Sequence, residues 1–253
     1  MEIAIIGDVH GNGDWLIRHV LPEFADRGIK TLIQLGDFGL YPMDRGFQKM
    51  TNWALEKFGQ TIYVAPGNHE NYDYISEIPV SSDGWQHARS NILLAPRGHR
   101  AEFGGRSFVF LGGAPSVDRW YRTVVLDRGG PYWWADEAIT QEDVDKTVAG
   151  GHADVMVAHD APLNVPGIEA GIAGNPFGFK ESDLKYADEG RVMMEQAFQG
   201  VSPDLFLNGH YHFFNEDTVP TRLGTCQVVT LSCDEREQSF GILDTKDLSI
   251  SVL

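Results

Sequence analysis

Five short apolar runs punctuate the chain, and each stops at a cluster of polar residues able to bind a cation. Ile3–Ile6 leads into Gly7-Asp8-Val9-His10, Thr31–Leu35 into Gly36-Asp37, and Thr61–Ala65 into Pro66-Gly67-Asn68-His69-Glu70. Val155–Ala158 precedes His159-Asp160, and Leu205–Leu207 precedes Asn208-Gly209-His210-Tyr211-His212. Runs this short and this continuously apolar predict strands buried on both faces. Helical spacing fills the gaps between the first three, with Leu16, Val20 and Phe24 inside Trp15–Ala25 and Phe47, Met50, Ala54 and Phe58 in the next segment. Alternating strand and helix predicts right-handed crossovers and a mainly parallel start to the sheet. All five polar clusters then fall at the carboxyl ends of strands, where ligands collect in sheets of this kind.

The middle and the C-terminal part have a different rhythm. Asn91–Ala95, Arg106–Gly112, Thr225–Leu231, Ser239–Leu243 and Leu248–Leu253 read as strands separated by turns, which predicts a second, more antiparallel sheet packed on the first. Val192, Met193, Ala197 and Phe198 place a helix near Tyr186–Phe198. No internal repeat, low-complexity tract or linker divides the chain, so one α/β domain over residues 1–253 is expected.

Composition narrows the function classes. With 253 residues, 42% hydrophobic and 22% charged, the chain is ordinary globular material. A net charge of −16 argues against a broad surface that tracks nucleic-acid backbones, although bound divalent cations can reverse the local field at one site. Cys226 and Cys233, the only two cysteines, are too few for a disulfide framework and read as ordinary thiols. The apolar runs fall far short of the ~20 residues that span a bilayer, and Met1–Ile6 enters a strand with no basic leader. A cytoplasmic protein is the expectation.

The chemistry lies in the five clusters. Asp8 and His10 are two apart at an apparent strand end, as are His210 and His212, and extended residues at that spacing point the same way toward one ion. Imidazole with carboxylate suits Mn, Fe, Zn, Co or Ni, and the absence of cysteine from these runs disfavours a structural zinc site. Asp37 has two oxygens with which to bridge two cations, and Asn68 adds a neutral carbonyl oxygen. Each cluster also has a structural explanation: Asp8 or Asn12 can cap the following helix, Pro66-Gly67-Asn68 fits a tight turn, and His159 alone can be a hydrogen-bonded core residue. Five of the nine histidines gather in these clusters with Asp8, Asp37 and Asn68. Such groups meeting without cations would be costly to bury, and metal coordination resolves that cost.

As an ordered set, Asp8-Val9-His10, Gly36-Asp37, Gly67-Asn68-His69-Glu70, His159 and Gly209-His210-Tyr211-His212 resembles the five signature blocks of the calcineurin-like metallophosphoesterases. The resemblance implies a four-layer α/β/β/α sandwich, two mixed β-sheets flanked by helices, with a binuclear centre at one edge. It implies Asp8, His10, Asp37 and His212 around one divalent ion and Asp37, Asn68, His159 and His210 around the other. Manganese is the first candidate, with iron, zinc, cobalt or nickel as alternatives. His69 corresponds to the family's proton-donating or transition-state-stabilising histidine. The implied reaction is phosphoester hydrolysis by a metal-activated hydroxide, two cations about 3.5–4 Å apart clamping an in-line displacement.

Substrate signals are thinner. The family's phosphoprotein phosphatases carry Asp-Arg-Gly close behind the second aspartate, whereas Asp44-Arg45-Gly46 comes seven residues after Asp37 here. They also carry glycines after the fourth-block histidine, where this chain has Asp160-Ala161-Pro162. The expectation is therefore a phosphodiesterase acting on nucleotides or other small diesters. Phosphomonoesterase, nuclease and non-catalytic protein-binding scaffold are the alternatives. No P-loop, dinucleotide loop or nucleophile elbow competes. Asp118, Arg119, Trp120, Tyr121, Arg122, Arg128, Tyr132, Trp133 and Trp134 resemble a segment of bacterial and bacteriophage members. They can bind phosphate and stack on a base, or serve as core or homo-oligomer contacts. The Gly- and Pro-rich stretch 162–185 reads as a binding loop or lid, or as a disordered or subunit-contact segment. Asp183, Asp188, Glu142, Asp143 and Asp145 read as solvated charge.

Overall fold

The chain is described by a computed structural model that covers residues 1–41, 46–125 and 132–253, Val125 in its backbone only. In chain order the strands are β1 (Glu2–Ile6), β2 (Thr31–Gln34), β3 (Thr61–Val64), β4 (Gln86–Arg89), β5 (Ile92–Leu94), β6 (His99–Phe103) and β7 (Arg106–Leu111). After them come β8 (Val155–Ala158), β9 (Leu205–Asn208), β10 (Asn215–Pro220), β11 (Thr225–Thr230), β12 (Phe240–Asp244) and β13 (Ser249–Val252). Among the described residues they form two mixed sheets, ordered β13-β12-β1-β2-β3-β5-β4 and β10-β11-β9-β8-β7-β6.

Alternation along each central strand divides its side chains between two cores. Ala4 and Ile6 of β1 face outward with Leu32, Ile62 and Val64, and meet Leu16, Leu21, Phe24, Ala54 and Leu55 from the helices of residues 13–26 and 47–58. Ile3 and Ile5 face inward and pack with Ile33, Phe108, Phe110, Val155, Val157, Leu205 and Leu207 between the sheets. Met156, Ala158 and Phe206 point the other way, against Val144, Met194, Ala197 and Phe198 of helices Gln141–Ala149 and Glu181–Val201. Strands sandwiched this way have no polar face, which is why the sequence shows continuous apolar runs. The result is the expected α/β/β/α sandwich.

The partition of strands differs from the sequence reading. β8 and β9 belong to the second sheet, whereas β5, β12 and β13 join the first. Nor is the second sheet more antiparallel. Each sheet has a parallel centre, β1-β2-β3-β5 in one and β11-β9-β8-β7 in the other, flanked by antiparallel edges. Connection type decides the outcome: strands joined through helices pair parallel, and hairpins such as β6–β7 pair antiparallel. The helix expected near Tyr186–Phe198 spans Glu181–Val201. Part of the presumed loop 162–185 is the short helix Pro166–Ile172. Asp143 is not merely solvated, since it completes a capping box with Thr140 and pairs with Arg97 at 3.1 Å. Asp183 is buried, accepting from the Trp120 amide at 2.9 Å and pairing with Arg119 at 3.3 Å. Asp44, Arg45 and Arg128 lie outside the described residues. Among the described residues no helix is long and apolar enough to cross a membrane.

Candidate metal centre

The carboxyl ends of β1, β2 and β3 in one sheet and of β8 and β9 in the other open onto the same edge of the sandwich. All seven expected ligands meet there. Potential ligand atoms of Asp8, His10, Asp37 and His212 lie within 4.8 Å of one another, as do those of Asp37, His159 and His210. Asn68 joins the second group, its Oδ1 2.9 Å from His159 Nε2.

The side chains do not converge through extended i, i+2 geometry, as the sequence reading expected. His10, Asp37, His210 and His212 all have left-handed backbones, with φ of 49°, 52°, 73° and 57°. Such conformations are uncommon outside glycine and gather at functional sites, where the surroundings enforce them. Here the backbone of Val9 and His10 donates to the Asp37 carbonyl at 3.0 and 2.8 Å. Close approach also demands glycine at position 67, where a Cβ would stand 2.2 Å from Asp37 Oδ1.

Asp8, Asp37, His10, Asn68 and His159 are each held by a further protein group besides the contacts that face inward. Asp8 is fully buried, accepts the His210 amide at 3.1 Å on both oxygens and lies 3.2 Å from His212 Nε2. It does not cap the following helix; Asn12 does, accepting from the Trp15 amide at 3.1 Å. His10 Nε2 is 3.6 Å from Asp37 Oδ2, and its Nδ1 is 3.2 Å from Asp234. His159 Nδ1 donates to the Leu35 carbonyl at 2.7 Å, leaving Nε2 3.3 Å from Asp37 Oδ1. Asn68 Nδ2 donates to Ser116 at 2.9 Å, which turns its carbonyl oxygen into the site. His69 is partly exposed, its Nε2 4.0 Å from both Asp37 and Asp118 carboxylates.

With only the protein's own charges in place, this cluster has large offsets. Burial opposes ionisation of Asp37, but His159, His69 and His10 hold its carboxyl well below the usual range. Burial likewise disfavours charge on His10 and His159, yet Asp37 and Asp8 lift them to about 9 and about 10. Burial and the neighbouring His159 push His210 down to about 4. Burial also lowers His69, against the pull of Asp37 and Asp118. Two buried carboxylates facing imidazole nitrogens are thus a site that demands positive charge, and the mixed N/O donor set fits divalent cations.

Several residues that fix the centre were given no such role from sequence. Glu70 is buried and accepts from the amides of Phe38, Gly39 and Leu40 at 2.6, 3.2 and 2.8 Å, folding the loop behind Asp37. Glu137 accepts from the Ser116 amide and hydroxyl at 2.7 and 2.8 Å and from Trp133 Nε1 at 2.8 Å. Arg122, expected as a phosphate ligand or core residue, is core: it pairs with Glu137 at 3.3 Å, bonds Ser116 and donates to the Asn68 carbonyl at 3.0 Å. Arg119 lies over the Tyr186 ring at 4.2 Å. Tyr211 donates to Asp160 at 2.7 Å between the two histidines of its loop. A third group, His152, Asp154 and Asp204, sits at the opposite end of β8 and β9, where Asp154 is taken up by Ser107 and Arg106.

A sequence model described as calcineurin-like phosphoesterase matches residues 1–214. This chain belongs to the calcineurin-like phosphoesterase family. The family hydrolyses phosphoric esters with a binuclear centre of divalent cations. Solved structures with the same fold include TT1561 of Thermus thermophilus, at 14% identity and TM-score 0.59 over 100% of this chain and 97% of that one. A dimetal phosphatase from Danio rerio aligns at 12% identity and TM-score 0.53 over 96% and 91% of the two chains. No protein of curated function matches the sequence significantly.

Proposed function

We propose that this calcineurin-like phosphoesterase is a cytoplasmic binuclear phosphodiesterase acting on nucleotides or other small diesters. The observation that carries the reading is the meeting of seven donors from five strand ends, with Asp37 common to both groups and Asn68 beside His159. In it, Asp8, His10, Asp37 and His212 hold one divalent ion, manganese foremost, and Asp37, Asn68, His159 and His210 hold the other. Two such ions supply Lewis acidity at a phosphoryl oxygen and a nucleophile at neutral pH. Asp37 orients both halves by reaching each with a different oxygen. Asn68 adds a donor without adding negative charge, its orientation held by Ser116. His69 Nε2, on the open side, donates its proton to the leaving alkoxide or stabilises the charge there.

A diester is favoured over a monoester by the fate of the nearby arginines. Arg119 and Arg122 are paired with the protein carboxylates Asp183 and Glu137, so neither is free to offset the second charge of a monoester dianion. The local surface adds Asp118 beside His69, a poor neighbour for a dianion. Manganese-loaded protein assayed on a bis-aryl diester, an aryl monoester, 2′,3′- and 3′,5′-cyclic nucleotides and single-stranded DNA tests the reading. Diesters should be hydrolysed with the highest kcat/KM, and His69→Ala should lose most on substrates with poor leaving groups. Faster turnover of the monoester would overturn the diesterase assignment, DNA cleavage would indicate a nuclease, and no turnover with two ions bound would indicate a scaffold.

A further inference from the structure

The loop between β11 and β12 lies against two of the turns that build the centre, those after β1 and β9. The Leu231 amide donates to the Asn208 carbonyl at 2.9 Å, and Ser232 Oγ donates to the His212 carbonyl at 3.0 Å. Two residues on, the Asp234 amide donates to the Asp8 carbonyl at 2.8 Å, and the Ser239 carbonyl accepts from the Gly7 amide at 2.8 Å. Approach is close enough that a Cβ on Gly7 would stand 2.0 Å from the Ser232 carbonyl oxygen. The whole loop lies beyond residue 214, where the family match ends.

Within this loop Asp234 is held from two sides. Its Oδ2 accepts from Asn12 Nδ2 at 2.8 Å, while the same Asn12 caps its helix through Oδ1, so the side chain of Asn12 has no freedom to turn. Its Oδ1 lies 3.2 Å from His10 Nδ1. A carboxylate at Nδ1 accepts a hydrogen bond from the ring N–H and so keeps the proton on Nδ1, which leaves the Nε2 lone pair aimed at Asp37 and the candidate ion. His10 has particular need of such a clamp, being partly exposed and carried on a left-handed backbone with φ 49°.

We propose that Asp234 is a positioning residue that fixes the tautomer and orientation of His10, so that this loop completes one half of the binuclear centre. The proposal rests on the metal reading of the site. It is tested by calorimetric titration of manganese into metal-free wild-type, Asp234→Asn and Asp234→Ala proteins, with thermal melts to check folding. Long-range 1H–15N spectra of the zinc-loaded proteins read the His10 ring. Wild type should bind two ions. Asp234→Ala should bind the ion of Asp8, His10, Asp37 and His212 about 10- to 100-fold more weakly, as loss of such outer partners does elsewhere, with the other ion unaffected. Asp234→Asn, which keeps size and an acceptor but not charge, should fall between them, and decides the matter if Asp234→Ala does not fold. The hydrogen-bonded His10 Nδ1–H signal should be present in wild type and lost in Asp234→Ala. Two ions bound with unchanged affinity and an unchanged His10 signal would overturn the proposal and leave the metal reading intact. Equal weakening of both ions with a lowered melt would show a merely structural role. A wild type that binds no ion would sink the metal reading itself.

Discussion

The two halves of the centre are built on different principles. Around Asn68 and His159 the donors are sealed, His159 fully buried and Asn68 nearly so, with His210 beside them only partly exposed. Their outer atoms are satisfied by neutral groups, the Leu35 carbonyl for His159 and the Ser116 hydroxyl for Asn68. Around His10 and His212 the donors are open, with side-chain exposures of 24% and 45%. There His10 is backed by a carboxylate, Asp234. A second carboxylate against a buried imidazole would carry a large desolvation cost, whereas solvent screens it in the open half. Burial thus accounts for the different outer partners of His159 and His10, and makes the open half the easier one to perturb alone.

Asp37 belongs to both halves, so its removal should have the largest effect. Asp37→Asn should lose both ions, seen by elemental analysis of the purified protein. Lewis-acid stabilisation is worth several kcal/mol, so kcat/KM should fall by about 10³-fold or more. Retention of two ions with activity within tenfold of wild type would mean that the halves do not share this residue.

Much of this was legible in sequence, and the parts that were not have a common cause. The sandwiched strands announce themselves because neither face is polar, and the seven donors because each directly follows such a strand. The sheet to which β8 and β9 belong was not legible, since a short apolar run carries no record of its partner. The left-handed turns at His10 and His212 look like strand ends in sequence. Asp234, Ser116 and Glu137 are distant in the chain from the donors they hold, 224 residues in the case of Asp234 and His10. Their roles exist only once two sheets and three loops have met.

The sealed half gives a test through pH. Burial raises the Glu137 carboxyl from 4.5 to about 7, against Arg122 and the Ser116 and Trp133 donors that favour its charged form. A carboxyl whose folded value lies above its unfolded one binds more protons in the folded state. Its contribution is fully present below pH 4.5 and is lost as pH rises toward 7. The stability of metal-free protein should therefore decline across that window by up to about 3 kcal/mol from this group. Urea denaturation at several pH values measures it, and Glu137→Gln should flatten the slope. A wild-type slope of the opposite sign that Glu137→Gln removes would show that Arg122 and its neighbours hold Glu137 charged, and that the sealed half does after all enclose a stable ion pair.

The smallest expected effect falls on the open half, where it separates the two most cleanly. Ser232 Oγ donates to the His212 carbonyl at 3.0 Å, and His212 sits at φ 57° with nearly half its side chain exposed. Ser232→Ala removes a single hydrogen bond without creating a cavity, at a cost of about 1 kcal/mol. If that bond steadies the turn, the lost energy should appear mainly as weaker binding of the ion held by His212, roughly fivefold by the same arithmetic. The ion of the sealed half should be unmoved, because nothing in its outer contacts passes through Ser232. Calorimetric titration resolves the two events. Equal weakening of both ions would mean that Asp37 couples the halves so tightly that the difference in burial has no independent consequence.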